Sequence, residues 1–344
     1  MNQLFKTVFI LLVLLDYSFA KQIHDMLGRE VTIPSKVEKA FCASPPMMAL
    51  LYTLAPKKMI GVNYSFLGVE KQFMLPYVQN LPVLGGFFGG GNQANIEKIV
   101  ALKPDIVFAW DITHNTTKQF ESVFNSFNIP VVYIRQNTLY ETLDAIQLMA
   151  EGLHVQQRGE ELISYAKERL GTVQNSVRAL GDIKRKRVFF AQGEDGLFTE
   201  CSNDRQSEVI TFAGAVNVHE CPENKKANYK REKISLEKLY SYDPDVILVR
   251  EKNFFESLAK NELWHNLKAY KNKQIFLVSS SPFAWLSRPP SFMRFLGVQW
   301  LHHILYPKHF DFDIQKETTL FYKKFLHVQL TKNQVEQLLK GEIK

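Results

Sequence analysis

Two stretches of the chain carry the same order of apolar and polar positions. Residues 96–110 read IEKIVALKPDIVFAW, and residues 236–250 read LEKLYSYDPDVILVR. In each, apolar residues at helical spacing (Ile96, Ile99, Val100; Leu236, Leu239, Tyr240) precede a proline and then an unbroken apolar run. Proline ends a helix because its ring cannot continue one. The run that follows predicts a strand buried on both faces, as in a parallel sheet. Glu97, Lys98, Pro104 and Asp105 recur as Glu237, Lys238, Pro244 and Asp245 at a constant offset of 140 positions. One repeat over that distance predicts two similar lobes. A solenoid would repeat every 20–50 residues or so.

The remaining pattern fills out both lobes as α/β units. Strands are expected at Val37–Ala43, Met59–Val62 and Val131–Ile134 in the first lobe, with helices at Pro45–Leu54 and 119–128. In the second lobe, strands are expected at Arg187–Ala191 and Ile275–Val278, with helices at 204–213 and 291–305. Strands alternating with helices predict parallel sheets. Between the lobes, Val155, Leu162, Ile163, Ala166, Leu170, Val173 and Val177 recur mostly three and four apart, with no proline among them. This predicts one helix of about 24 residues, about 36 Å long, linking the lobes stiffly. The expected division is 1–20, 21–154, 155–180 and 181–344. The fold class is α/β, with two similar parallel-sheet lobes joined by one long helix and a ligand cleft between them. In such sheets ligands bind beyond the carboxyl ends of the strands, so the loops there are the candidates.

The first segment is of a different kind. Val8–Leu15 is an apolar run preceded by Lys6 and followed by Ser18-Phe19-Ala20. It is too short to span a bilayer about 30 Å thick and matches a secretory signal cleaved after Ala20. No cysteine stands at the cleavage point to carry a lipid, so a soluble periplasmic protein is expected. Of three cysteines, Cys42 sits in an apolar strand pattern and reads as a small core residue. Cys201 and Cys221 remain as a pair that an oxidising compartment could join.

Composition narrows the classes. The 344 residues are 46% hydrophobic and 22% charged, which excludes a disordered, collagen-like or coiled-coil chain. The net charge of +7 is mild and includes no long basic run, which argues against a nucleic-acid partner. There is no GxSxG, HExxH or Walker A motif, so no enzyme activity is expected.

Together, Asp25-Met26-Leu27-Gly28-Arg29-Glu30-Val31, the NIEKIVALKPDIVFAW segment, the long connecting helix and the closing RPPSFMRFLGVQWLHHILYP give a family resemblance. The chain resembles the periplasmic binding proteins that deliver ferric siderophores, haem, cobalamin and other metal chelates to ABC importers. Oligomerisation is not indicated, so a monomer is expected. The resemblance implies that the lobes hold the cargo between them with little hinge motion and that the loaded protein docks on a permease dimer. It implies that Glu97 and Glu237, one per repeat, meet permease arginines. It also places Trp110 and Arg288 where relatives contact their ligand.

Loop position alone adds Phe88, Arg205, Arg250 and Trp285. Aromatic faces and bidentate arginines suit a flat or anionic chelate. His114 is the candidate ligand to a metal carried in that chelate. His302 and His303, adjacent on a helix, point to different faces and make no site. The expected function is capture of a metal chelate, of ferric siderophore or ferric citrate type or a nickel chelate, with no resident cofactor. Three alternatives stay open: an oxyanion such as molybdate or tungstate, cobalamin or haem, and an exported enzyme of unknown type.

Overall fold

The computed structural model describes residues 21–66, 68–87, 93–110, 114–222 and 231–342. The expected signal segment and Phe88 lie outside them. A hairpin of β1 (Lys21–His24) and β2 (Glu30–Ile33) opens the described chain. At its turn Asp25 Oδ1 accepts from the Leu27 and Arg29 amides at 3.0 Å each. The first sheet is parallel, ordered β3 (Ala40–Cys42), β4 (Ile106–Trp110), β5 (Val131–Ile134). After it come β6 (Arg187–Ala191), β7 (Phe198–Thr199), β8 (Val216–Asn217), β9 (Glu232–Lys233), β10 (Val246–Val249) and β11 (Ile275–Leu277). Four of these form the second parallel sheet, in the order β11-β10-β6-β8, while β7 and β9 pair antiparallel.

The two repeated apolar runs are the central strands β4 and β10, and both of their faces are buried. Ile106 and Phe108, with Val246 and Leu248, belong to one core that runs through both lobes. Val107 and Ala109 face a separate outer core of the first lobe, and Ile247 and Val249 face that of the second. Period-two alternation therefore assigns the inward face, and Trp110 and Arg250 continue it beyond Phe108 and Leu248.

The polar members of the repeat explain themselves. Asn95 and Ser235 cap the helices Ile96–Ala101 and Leu236–Tyr242 by accepting from the Lys98 and Lys238 amides. Asp105 Oδ2 accepts from the Glu38 and Lys39 amides at 2.8 Å, and Asp245 Oδ2 from the Arg187 amide at 3.0 Å. Each aspartate thus holds the start of the neighbouring parallel strand.

The helices at Pro45–Leu54 and Gln156–Ala179 lie where the pattern put them. The helix expected at 119–128 instead runs His114–Asn125, and the left-handed Asn128 (φ 56°) turns the chain beyond it. The expected strand at Met59–Val62 is reduced to isolated bridges, Ala40 to Met59 and Val62 to Val83. Pro82, whose carbonyl accepts from the Val62 amide, has no N–H with which to extend the ladder.

The connecting helix buries Gly159, Leu162, Tyr165, Ala166, Leu170 and Val173. At Gly159 a Cβ would come within 2.6 Å of the Ala150 Cβ, so glycine permits the close approach of the Leu139–Gly152 helix. Two further ties join the lobes. Arg294, fully buried at the start of the Arg294–Leu305 helix, donates to the carbonyls of Asn137 and Gln136 at 3.0 and 3.1 Å. Glu208 accepts from the Leu139 amide at 2.7 Å. The segment 314–328 then crosses back: Tyr322 donates to the Ser281 carbonyl, and Tyr52 of the first lobe donates to the Leu326 carbonyl at 2.7 Å. Cys201 and Cys221 form a disulfide, and Cys42 is free and buried.

Candidate functional site

Where the lobes meet, a cavity of about 310 Å³ opens. The first lobe contributes Pro45, Tyr64 and Glu70. The second contributes Phe190 from β6, Arg250 just past β10, and the loop from Val278 to Pro289 beyond β11. This is the expected position, past the carboxyl ends of parallel strands. The Pro45–Leu54 helix begins here, so the positive end of its dipole lies on the first-lobe side.

The second-lobe wall is organised around two arginines. The Arg250 amide donates to the Ala191 carbonyl at 3.1 Å, which fixes its backbone against β6. Its side chain donates to the Arg288 carbonyl at 3.1 Å and lies 3.8 Å from Glu251. Burial lowers the Arg250 pKa, with Glu251 opposing. The guanidinium stays charged at neutral pH. Arg288 Nε donates to Oε1 of Glu200, a buried residue, at 2.8 Å. Burial raises the Glu200 pKa, and Arg288 holds it back.

Several donors in and around the cavity have no partner among the described residues: Arg288 Nη2, Ser279 Oγ and Ser44 Oγ are buried and unpaired. A buried donor left unpaired costs about 1–3 kcal/mol, so such groups mark where a ligand would complete the wall. Opposite, Tyr64 stays protonated because burial raises its pKa, helped by Glu70. Among the described residues no histidine or cysteine lines the cavity.

The expected site residues separate accordingly. Arg250 and Arg288 come together. Trp285 does not present its ring: it reaches the cavity wall but is 0% exposed, packed edge-on against Trp300 at 6.2 Å. Expected beside the ligand, it lines the cavity while its ring packs as a core aromatic would. Arg205 is also displaced. Its side chain is half exposed, 4.0 Å from Glu141, and outside the cavity wall. Trp110 is partly buried against the common core, its indole N–H unpaired among the described residues. His114 begins a helix, and its side chain lies outside the described residues. Glu97 and Glu237 are exposed in the first turns of their helices. His302 is buried, and neither it nor His303 lines the cavity.

Tyr64, Glu70 and Glu200 were not among the expected site residues. The only signal for Glu200 is an acidic residue directly after the short apolar Phe198–Thr199 strand.

The periplasmic binding protein family model matches residues 57–282. The chain is a member of the periplasmic binding proteins. The molybdate-binding protein MolA of Haemophilus influenzae is 30% identical over 93% of this chain and 96% of its own length. The MolA structure bound to molybdate covers 90% of this chain and 99% of its own, with 26% identity and a TM-score of 0.73. An ABC transporter solute-binding protein of Sulfurospirillum deleyianum is 28% identical, with a TM-score of 0.82 over 92% of this chain and 98% of its own. The Fe(3+)-citrate-binding protein YfmC of Bacillus subtilis is 26% identical over 55% of this chain and 58% of its own length. This periplasmic binding protein is thus a solute carrier of the ABC transport type. Among its described residues no helix is long and apolar enough to cross a membrane.

Proposed function

We propose that this periplasmic binding protein captures a small tetrahedral oxyanion, of the molybdate and tungstate kind, and passes it to an ABC permease. The observation that carries the reading is the unpaired Arg288 Nη2 beside Arg250 in a cavity of about 310 Å³. A deprotonated oxyanion only accepts hydrogen bonds, and this wall offers donors: two guanidinium groups and Ser279, with Ser44 at the start of the Pro45–Leu54 helix beside it. The likeness to MolA over nearly the whole chain supports the same cargo class. The cavity is also at the small end of ligand sites, which span about 300–1,000 Å³. A cavity of this size lined by donors suits a small anion.

A second reading keeps one anionic chelate. Ferric citrate presents carboxylates that paired arginines bind well, and the likeness to YfmC favours it. Calorimetric titration with molybdate, tungstate, sulfate and ferric citrate separates the two. Saturable heat from molybdate and tungstate, weakened about 10–100-fold in Arg288→Ala, is the expected result. Saturation by ferric citrate alone would replace the oxyanion reading.

The ties through Arg294, Glu208 and the 314–328 segment support a cleft that closes little on binding. Export with cleavage after Ala20, and release as an unlipidated monomer, complete the reading. Glu97 and Glu237 serve as the docking charges, being equivalent exposed positions on two related lobes that face two related permease subunits. Reversing both charges should stop uptake in reconstituted vesicles while leaving ligand affinity unchanged. Unchanged uptake would remove this role.

A further inference from the structure

Four metal-ligating side chains of the second lobe, none of them lining the cavity, converge. Cys201, His219, Cys221 and Glu232 each offer one ligand atom, and all four atoms lie within 4.8 Å of one another. The backbone brings them together: the Ser202 amide donates to the His219 carbonyl at 2.8 Å, and the Asn217 side chain to the Glu200 carbonyl at 3.0 Å. Glu232 arrives on β9. His219 is buried, and its Nδ1 lies 2.9 Å from the Tyr242 hydroxyl. Its Nε2 faces Glu232 Oε2 at 3.2 Å and Cys221 Sγ at 3.4 Å.

The His219–Glu232 and His219–Cys221 separations are close to those of a tetrahedral site, and the Cys201 and Cys221 sulfurs, joined as a disulfide, would part to complete it. Ligands at about 2.0–2.3 Å from a cation stand about 3.3–3.8 Å from one another. Two sulfurs, an imidazole and a carboxylate suit zinc-like cations and not magnesium or calcium. The phenol on Nδ1 is the outer partner that sets the imidazole tautomer and aims Nε2 at the cluster.

We propose that the Cys201–Cys221 disulfide and a zinc-class divalent cation are alternative occupants of this cluster, exchanged by two-electron reduction. A dithiol reductant opens the disulfide. Its two S–H hydrogens pass to the Cys201 and Cys221 sulfurs, and its own sulfurs join as a disulfide. The cation then takes both cysteines as thiolates, and their two protons leave to solvent. Oxidation closes the site and leaves only His219 and Glu232, too few ligands to hold the ion. None of the four residues lines the cavity, so the step does not depend on the cargo.

The test uses the exported chain, reduced with dithiothreitol, desalted without air and titrated with Co2+. The reduced protein should take up one equivalent with a thiolate-to-cobalt absorption band that Zn2+ abolishes, and the oxidised protein should show none. His219→Ala should weaken uptake at least tenfold. No saturable band in a reduced chain that keeps its circular dichroism would overturn the proposal, as would a band unchanged in both His219→Ala and Glu232→Gln. Cys201→Asp removes the disulfide without a reductant and leaves four ligands. It should bind Co2+ through one thiolate even if the reduced chain does not hold its fold, and failure there overturns the proposal too.

Discussion

In the first lobe, Asn95 caps the helix, Asp105 holds the neighbouring strand, and β4 ends on Trp110. In the second, Ser235 caps, Asp245 holds, and β10 leads to Arg250 at the position equivalent to Trp110. Both end residues continue the inward face of their strands. One lies against the common core, its indole N–H unpaired among the described residues, and the other is a charged group on the cavity wall. The corner is thus scaffold, copied with its polar contacts. The residue that follows it is free to differ, and the cavity wall is built from such differences.

The sharpest way to break this comparison is to erase the difference. Arg250→Trp gives the second corner the first corner's ending. Loss of a charged donor should weaken oxyanion binding about 10–100-fold, while the melting temperature changes little. Calorimetry and thermal melts in parallel decide it, and an unfolded variant would show that Arg250 is scaffold after all.

The converse test removes what is shared. Asp105→Ala and Asp245→Ala should each destabilise by about 1–3 kcal/mol, because each strands backbone amides of the adjoining strand. Denaturant unfolding should give comparable losses for both, with ligand affinity intact. Asp245 also pairs with Lys268 at 2.6 Å. Burial would raise its pKa, but Lys268 and the Arg187 amide outweigh that and lower it. Its contribution is present above the ordinary aspartate pKa and lost as pH falls through the lowered one. The Asp245→Ala penalty should therefore shrink in strong acid.

The smallest effect lies outside both corners. His302 is kept neutral by burial, its Nδ1 2.9 Å from the Ala213 carbonyl and its Nε2 2.8 Å from the Ser176 hydroxyl of the connecting helix. With its pKa lowered in the fold, the unfolded chain binds more protons below about pH 6.5, so stability falls as pH drops through that range. His327 shifts the same way, again chiefly by burial. Thermal melts between pH 7.5 and 5 should show the decline, and His302→Gln should flatten it in part. An unchanged slope would place the titration elsewhere.

Much of the scaffold is legible in the sequence because its signals are local. The β4 and β10 runs, the proline stops, the Pro45–Leu54 helix and the connecting helix follow from spacing alone. Boundaries shifted where side chains at a distance decide. The strand expected at Val37–Ala43 shortens to Ala40–Cys42 because Asp105 captures the Glu38 and Lys39 amides. The lining of the candidate cavity was legible in part. Arg250 follows from loop position and Arg288 from the family resemblance, and both line the cavity; loop position does not say which way a side chain turns, and the Trp285 ring is buried. Tyr64 and Glu70 reach the cleft from a segment with no regular pattern, and Glu200 acquires meaning only through Arg288, 88 residues away.

The most direct test of the central claim is anomalous diffraction from crystals soaked in tungstate. A single strong tungsten peak between the lobes, within hydrogen-bonding reach of Arg250 and Arg288, is the predicted result. Peaks confined to surface lysines, with the cleft unchanged, would contradict the account.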